Sequence, residues 1–243
     1  MPSRPEPLLT AGCPGRRSAG IILAAGASRR LGRPKQLLPY GSGVLLDAVL
    51  ETARDCSFSQ TVLALGGAAA EIERTVDTSG CDVVLNPDFG EGCASSIASA
   101  LAALHPDTDA VVLLLGDQPG VRAASVRAVL GALEQTGSAA PSAAAASPGS
   151  AGAGRAGAGR AGAGAGSPGI AVCRYDDGVG HPLAFARRLL PDLAALHGDK
   201  AVWKLLEQRT DDVIEVRTPG PVPLDVDTEE DYRRVLDSLQ GAV

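Results

Sequence analysis

The chain has 243 residues, 45% of them hydrophobic but only 3% aromatic, with a net charge of -6. That is enough chain to bury one aliphatic core, about one domain, and its acidic balance excludes the broad basic face that nucleic acid or an anionic membrane would need. Five scattered cysteines (Cys13, Cys56, Cys81, Cys93, Cys173) without a Cys-x-x-Cys pair suggest neither a disulfide framework nor a zinc site, and no apolar run approaches the ~20 residues of a membrane span, so a soluble, cytoplasmic protein is expected.

Residues 1–17, rich in Pro, Gly and Arg, read as a disordered extension, with ordered structure beginning near Ser18. The first strand is Ile21 to Ala24, and it delivers Ala25-Gly26-Ala27-Ser28-Arg29-Arg30-Leu31-Gly32-Arg33-Pro34-Lys35. Small residues let backbone N–H groups approach an oxyanion, and Arg30 and Lys35 add positive charge. In an acidic chain this local basic cluster fits a small polyanion, which points to a nucleotide. It is not a Walker A loop, because Gly32 is followed by Arg33-Pro34 and Lys35 by Gln36; nor do Gly26 and Gly32 supply a dinucleotide fingerprint. A glycine-rich turn with incidental surface arginines is the alternative.

Apolar residues at helical spacing follow over 44–53, 68–76, 95–104 and 123–133, interleaved with short apolar or β-branched strands at Thr61–Leu65, Asp82–Leu85 and Ala110–Leu115. The stretch 137–169 is almost entirely Ala, Gly, Ser and Pro with a near-repeat of Gly-Arg-Ala-Gly-Ala-Gly; having nothing large to bury, it is expected to be a flexible surface insertion. Beyond it come a strand at Ile170–Arg174, helices over 183–190 and 201–206, a strand at Val213–Val216, and a last helix from Thr228, where Asp231 three residues on resembles a capping box. Such alternation predicts a mainly parallel sheet covered on both faces, with ligands at the carboxyl ends of the strands.

Candidate chemistry gathers at those ends. The fourth strand runs into Gly116-Asp117-Gln118-Pro119, which places Asp117 to hold a divalent cation or simply to cap a turn. Asp225 and Asp227 flank Val226, so in an extended stretch both address one site, although Asp227 is equally suited to starting the last helix. After the third strand, Asn86-Pro87 leads to Gly90 and Gly92, and Ser95 or Ser96 offers donors at a helix start. Gly180-His181-Pro182 forms a small turn whose imidazole is either a turn residue or a substrate contact. The histidines His105, His181 and His197 stand in unrelated contexts and no nucleophile elbow exists, which leaves positioning and charge neutralisation, as in phosphoryl and nucleotidyl transfer.

The string Leu23-Ala24-Ala25-Gly26-x-Ser28-x-Arg30-Leu31-Gly32-x-x-Lys35, with Asn86-Pro87, Gly92 to Ser96, Gly116 to Pro119, Gly180 to Pro182, Gly198-Asp199 and Asp225 to Thr228, closely resembles the MobA-like NTP transferases, and among them those acting as cytidylyltransferases on the molybdenum cofactor. The resemblance runs from about Ala19 to Leu239. It implies an α/β fold, a Rossmann-like three-layer αβα sandwich with a mainly parallel mixed sheet of the nucleotide-diphospho-sugar transferase type, in a single domain over 18–243. It further implies Mg²⁺-dependent transfer of CMP from CTP to the terminal phosphate of molybdopterin-bound molybdenum, with a molybdenum hydroxylase as candidate recipient of the product.

By resemblance, Leu23, Ala24, Ala25, Gly26, Ser28, Arg30, Gly32 and Lys35 address the nucleotide, together with Gly66, Asn86, Gly92, Ser95, Ser96 and Gly116. Gln118, Pro119, Gly180, His181 and Pro182 fall to the acceptor substrate; Asp117, Asp225 and Asp227 to the metal; Arg30, Lys35 and Asp117 to catalysis. Ala25 before Gly26, where related guanylyltransferases have a second glycine, favours cytidine. Leu31 stands where the family usually has methionine, a volume-conserving change. The run Gly198-Asp199-Lys200-Ala201-Val202-Trp203 lacks the family's Gly-Ala-Arg, which leaves a substrate role there open, and the 137–169 tract has no counterpart. A related transferase using GTP or another phosphorylated acceptor, a non-catalytic carrier of the pterin cofactor, and a flavin- or pterin-dependent redox protein are the competing readings.

Overall fold

The computed structural model describes residues 17–138 and 167–240. The expected disordered extension, all but Arg17, and residues 139–166 of the expected insertion lie outside the described residues. Strands are β1 (Ser18–Ala24), β2 (Pro39–Tyr40), β3 (Gly43–Val44), β4 (Gln60–Leu65), β5 (Asp82–Leu85), β6 (Ala110–Leu115), β7 (Ile170–Arg174), β8 (Val179–Ala186) and β9 (Val213–Arg217). Helices are α1 (Leu45–Asp55), α2 (Ala69–Thr75), α3 (Cys93–Ala102), α4 (Ala123–Ser138), α5 (Leu190–Ala194), α6 (Ala201–Gln208) and α7 (Glu229–Gln240).

Seven strands form one sheet in the order β5-β4-β1-β6-β8-β7-β9, and β2 and β3 make a separate small hairpin. β1 lies between β4 and β6 and pairs in parallel with both; β8 runs antiparallel to β6 and β7. Successive residues of β1 serve opposite faces. Ile22 joins Leu46, Leu50, Leu63, Val112 and Val126 beneath α1 and α4, whereas Ile21 and Leu23 join Val62, Leu113, Ile97, Phe185 and Leu205 beneath α3, α5 and α6. A strand buried on both faces needs an unbroken apolar run, which is what Ile21 to Ala24 and Ala110 to Leu115 supply. A third cluster of Leu38, Leu45, Val226, Tyr232 and Val235 fastens α7 over the hairpin, where the Tyr232 hydroxyl donates to the Pro39 carbonyl at 2.6 Å.

One expected element is overturned. The helix read over 183–190 is instead the second half of β8, followed by a single 3-10 turn at Arg187–Leu189 and the short α5. Leu183, Ala184 and Phe185 are fully buried inside the sheet, and a strand enclosed on both faces shows no alternation to set it apart from a buried helix. α4 also continues through Ser138, past the expected start of the insertion at Gly137. At its other end the last helix begins one residue after Thr228, whose hydroxyl accepts from Asp231 N at 3.2 Å while the Asp231 carboxylate accepts from Thr228 N at 2.9 Å. Among the described residues no helix is long and apolar enough to cross a membrane.

The register sets the site. Ala24 pairs with Leu65 and Leu23 with Leu115, so the loops after β1, β4 and β6 leave the sheet at one edge, on either side of the point where the strand order reverses. Because β8 is antiparallel to β6, its beginning rather than its end arrives at that edge, bringing His181 beside the end of β6.

Candidate functional site

A cleft of about 660 Å³ opens at this edge. Lys35 sits at its centre: the ammonium donates to the Asp117 carboxylate at 2.5 Å and to Asp227 at 2.9 Å. Arg30 donates to the other Asp227 oxygen at 2.7 Å, and the more peripheral Arg33 reaches Glu229 at 3.3 Å. The first loop, the end of β6 and the approach to α7 are thereby joined by charge. Exposure differs across the cluster, with side chains of Lys35 and Asp117 at 14% and 10% but Arg30 at 66%. The Lys35–Asp117 pair is the protected one, and the Arg30–Asp227 pair is open to solvent.

Electrostatics follow from that burial. Desolvation by itself would lower the Lys35 pKa, but the Asp117 charge and hydrogen bond, with those of Asp227, carry it above the usual lysine range. The Lys35 hydrogen bond holds the Asp227 carboxyl below its ordinary value. Asp225 behaves oppositely: although the residue is exposed to solvent, the protein around its carboxyl removes enough hydration to lift it to about 6, the neighbouring Asp117 charge adds to this, and Lys35 only partly offsets it.

The first loop is braced from within. Gln36, almost fully buried, donates to the Ala24 carbonyl at 2.7 Å and the Gly26 carbonyl at 3.3 Å, and the Ser28 hydroxyl accepts from Lys35 N at 3.0 Å. Two of the loop's carbonyls are thereby engaged from inside the protein, and a loop of small residues with N–H groups left over is what an oxyanion requires. A Cβ at Gly66 would stand 2.5 Å from the Ala25 carbonyl oxygen and 2.9 Å from Phe89, so that glycine lets the loops after β1 and β4 touch.

Asn86 organises the segment leading into α3. Its amide donates to the hydroxyls of Ser95 and Ser96, each at 2.9 Å, and its carbonyl oxygen accepts from Asp88 N at 2.9 Å. Gly92 turns at φ +105° and lies against Gly198 and Asp199, whose carboxylate accepts from Cys93 N at 3.2 Å. Across the cleft, His181 and Trp203 meet edge to face with ring centroids 5.7 Å apart, and the Tyr175 hydroxyl donates to the His181 carbonyl at 2.7 Å.

Of the residues singled out in the sequence, Leu23, Ala25, Gly26, Ser28, Arg30, Lys35, Gly92, Ser96, Gly116, His181 and the three aspartates Asp117, Asp225 and Asp227 line this one cleft. Ala24, Gly32, Gly66, Asn86, Ser95, Gln118, Pro119, Gly180 and Pro182 are not part of its lining. Several of these have a bracing place instead: Gly32 closes the loop turn by donating to the Ser28 carbonyl, Gln118 donates to the Pro223 carbonyl at 3.1 Å, and Gly180 packs against Val222 and Tyr175. Sequence reasoning did not assign Ala27, Gln36, Phe89, Asp199, Lys200 or Trp203, which all line the cleft, as does Arg29 of the basic cluster. Gln36 carried a signal in following Lys35 directly; Trp203 carried only its departure from the family pattern.

Asp117 and Asp225 offer hard carboxylate oxygens, and a bound cation would relieve the repulsion that the Asp117 charge adds to the desolvation of Asp225. Asp227 is committed to Lys35 and Arg30, and among the described residues no three His, Cys, Asp or Glu side chains stand together at metal-binding distances. The two-carboxylate set fits a cation that keeps water and substrate oxygens as its remaining ligands, as Mg²⁺ does.

Comparison with known proteins places these features. Residues 20–213 match the model of the MobA-like NTP transferase domain. The crystal structure of Rv0371c from Mycobacterium tuberculosis H37Rv is 42% identical with a TM-score of 0.75, covering 91% of this chain and 98% of that one. The same protein solved as a manganese complex is 40% identical at a TM-score of 0.71, over 91% and 99% of the two chains. Nicotine blue oxidoreductase of Paenarthrobacter nicotinovorans is 36% identical over 112 residues, 46% of this chain and 54% of that protein. Molybdenum cofactor cytidylyltransferase of Escherichia coli K12 is 34% identical over 100 residues, 41% and 50% of the two. The chain thus spans about half the length of the curated relatives it matches.

Proposed function

The chain belongs to the MobA-like NTP transferase family, and we propose that it transfers CMP from CTP to the terminal phosphate of the molybdenum-bound molybdopterin cofactor, forming the cytosine dinucleotide and releasing pyrophosphate. The observation that carries this reading is the Lys35 ammonium, delivered by the first loop and shared by Asp117 and Asp227 at the carboxyl edge of the sheet. A cation with two buried or half-buried carboxylates within reach of a row of small residues is suited to a triphosphate rather than to a neutral ligand. Similarity to the Escherichia coli cytidylyltransferase and the Ala25-Gly26 sequence support CTP as the donor.

In the proposed reaction an acceptor phosphate oxygen attacks the α-phosphorus of CTP, a new P–O bond forms, and the bond to the β-phosphate oxygen breaks as pyrophosphate leaves. The phosphate is already anionic near neutral pH, so no general base is required of the chain. The loop N–H groups after Gly26 orient the triphosphate, Lys35 neutralises the charge growing on the departing oxygen, and Arg30 leaves Asp227 to follow the outer phosphates. Asp117 and Asp225 would hold a divalent cation, Mg²⁺ by preference, which would supply further charge neutralisation; the manganese complex of Rv0371c supports a cation of this class.

Pyrophosphate release measured with CTP and with GTP, each with and without molybdenum-loaded molybdopterin, tests the reading. Release only with CTP and acceptor together is expected. Preference for GTP assigns a guanylyltransferase instead, and cofactor binding without pyrophosphate from any nucleotide assigns a carrier that hands the cofactor to a molybdenum hydroxylase. The likeness to nicotine blue oxidoreductase favours a redox reading as the second candidate; purified protein that carries no visible chromophore yet releases pyrophosphate rejects it.

A further inference from the structure

Beside the Lys35 and carboxylate cluster the cleft extends into a recess that triphosphate chemistry does not use. Leu113 and Leu115 of β6, Cys93 of α3, and Val202 and Trp203 of α6 line it together with His181 of β8. None of these is charged near neutral pH: burial lifts the Cys93 thiol to about 11, with Asp199 and Asp117 adding, and burial pulls the His181 imidazole down to about 4. His181 is only 9% exposed, and its ring has no hydrogen-bond partner among the described residues, only the edge-to-face contact with Trp203. A neutral imidazole of that kind keeps one donor and one acceptor nitrogen for a ligand.

Position decides which part of a substrate fits there. In-line displacement puts the attacking oxygen on the side of the α-phosphorus opposite the departing pyrophosphate. The leaving side is fixed by Arg30 and Lys35, which belong to the loop after β1. His181 lies on β8, beyond β6 and Asp117 in the strand order, and Trp203 packs against it. The acceptor's side of the cleft therefore carries an indole, a neutral imidazole and aliphatic walls, while Lys200 lines the same cleft with a cation for an acceptor phosphate. Aromatic faces recognise flat rings by stacking.

Resting on the transfer reading, we propose that the recess formed by Trp203 and His181 binds the ring of the acceptor, a flat nitrogen heterocycle of the pterin kind, with Trp203 as a specificity-determining residue. Trp203 is the chain's single tryptophan, so its emission reports on the recess without labelling.

Titration of the full chain with pterin-6-carboxylate should give saturable quenching of tryptophan emission. By calorimetry, Trp203→Ala should weaken pterin-6-carboxylate binding about tenfold or more, the usual loss when a ring loses an aromatic stacking partner, and Trp203→Phe should retain most of the affinity. CTP binding in the presence of Mg²⁺ should change less than about twofold in either variant, a factor worth under half a kcal/mol. Should Trp203→Ala lack a cooperative melt, Trp203→Leu, which fills space without a π-face, carries the same comparison. Absence of saturable binding to the unaltered protein, or equal pterin affinity without the indole, overturns the proposal; loss of CTP affinity in step with pterin affinity does so too, by assigning the recess to the donor base. If the unaltered protein binds the pterin through Trp203 yet releases no pyrophosphate from CTP with the molybdenum cofactor, the transfer reading fails and the ring site stands.

Discussion

Lys35 is the residue on which the site turns, because one ammonium satisfies two carboxylates drawn from distant parts of the chain. Lys35→Ala is expected to lower kcat for pyrophosphate release by about 10²- to 10³-fold, the loss typical of removing one donor aimed at developing charge. Lys35→Arg should recover only part of it, since a planar guanidinium cannot occupy the point between Asp117 and Asp227. Asp225 makes a prediction of different kind. Its folded-state pKa, about 6, lies above the ordinary carboxylate value, so the native state holds the proton more tightly than the unfolded chain and loses stability as pH rises from about 4 to about 6. Asp225→Asn removes that loss. Thermal melts without divalent cation should show the variant equal to the parent near pH 4 and more stable above pH 6, and a parent at least as stable at pH 7.5 would refute the assignment. Added Mg²⁺ should narrow the gap at pH 7.5 by stabilising the parent alone.

At the scale of elements, two joints hold the site's walls in place. The Thr228 and Asp231 pair starts α7 immediately after Asp227, and Thr228→Ala should cost about 1 kcal/mol in a urea melt with an unchanged slope, as expected for a lost helix cap. Gly92 is the other joint. Its φ of +105° suits glycine, and a Cβ there would stand 2.5 Å from the Asp199 carboxylate and 2.9 Å from backbone atoms of Gly198 and Asp199. Gly92→Ala should therefore cost about 1 to 3 kcal/mol and loosen the 198–200 loop from α3, seen as a lower Tm and faster amide exchange at Cys93. The element misread from sequence, β8, shows what governs this scale: His181 reaches the cleft because that stretch is an antiparallel strand, and a helix over 183–190 would have carried it elsewhere.

For the molecule as a whole, both ends of the undescribed segment come from neighbouring places. The Thr136 hydroxyl donates to the Pro168 carbonyl at 3.4 Å, on the side of α4 and β7 away from Lys35 and Asp117. Replacing residues 141–164 by a short Gly-Ser link should leave pyrophosphate release within about twofold and raise stability slightly, by roughly 0.6 kcal/mol for each halving of loop length. A large drop in either quantity would show that the Ala/Gly tract contributes contacts of its own. Strands β5, β6 and β7 were legible in the sequence to the residue, as was the basic loop after β1, because unbroken apolar runs and small-residue turns are local properties of the chain. Tertiary structure alone decided that Lys35 closes on Asp117 and Asp227, 82 and 192 residues away, that Asn86 and Ser95 brace a loop rather than line the cleft, and that Trp203 faces His181. Local pattern encodes which residues must be buried or turned; which of them then meet depends on strand order and register, and those are settled only when the whole sheet assembles.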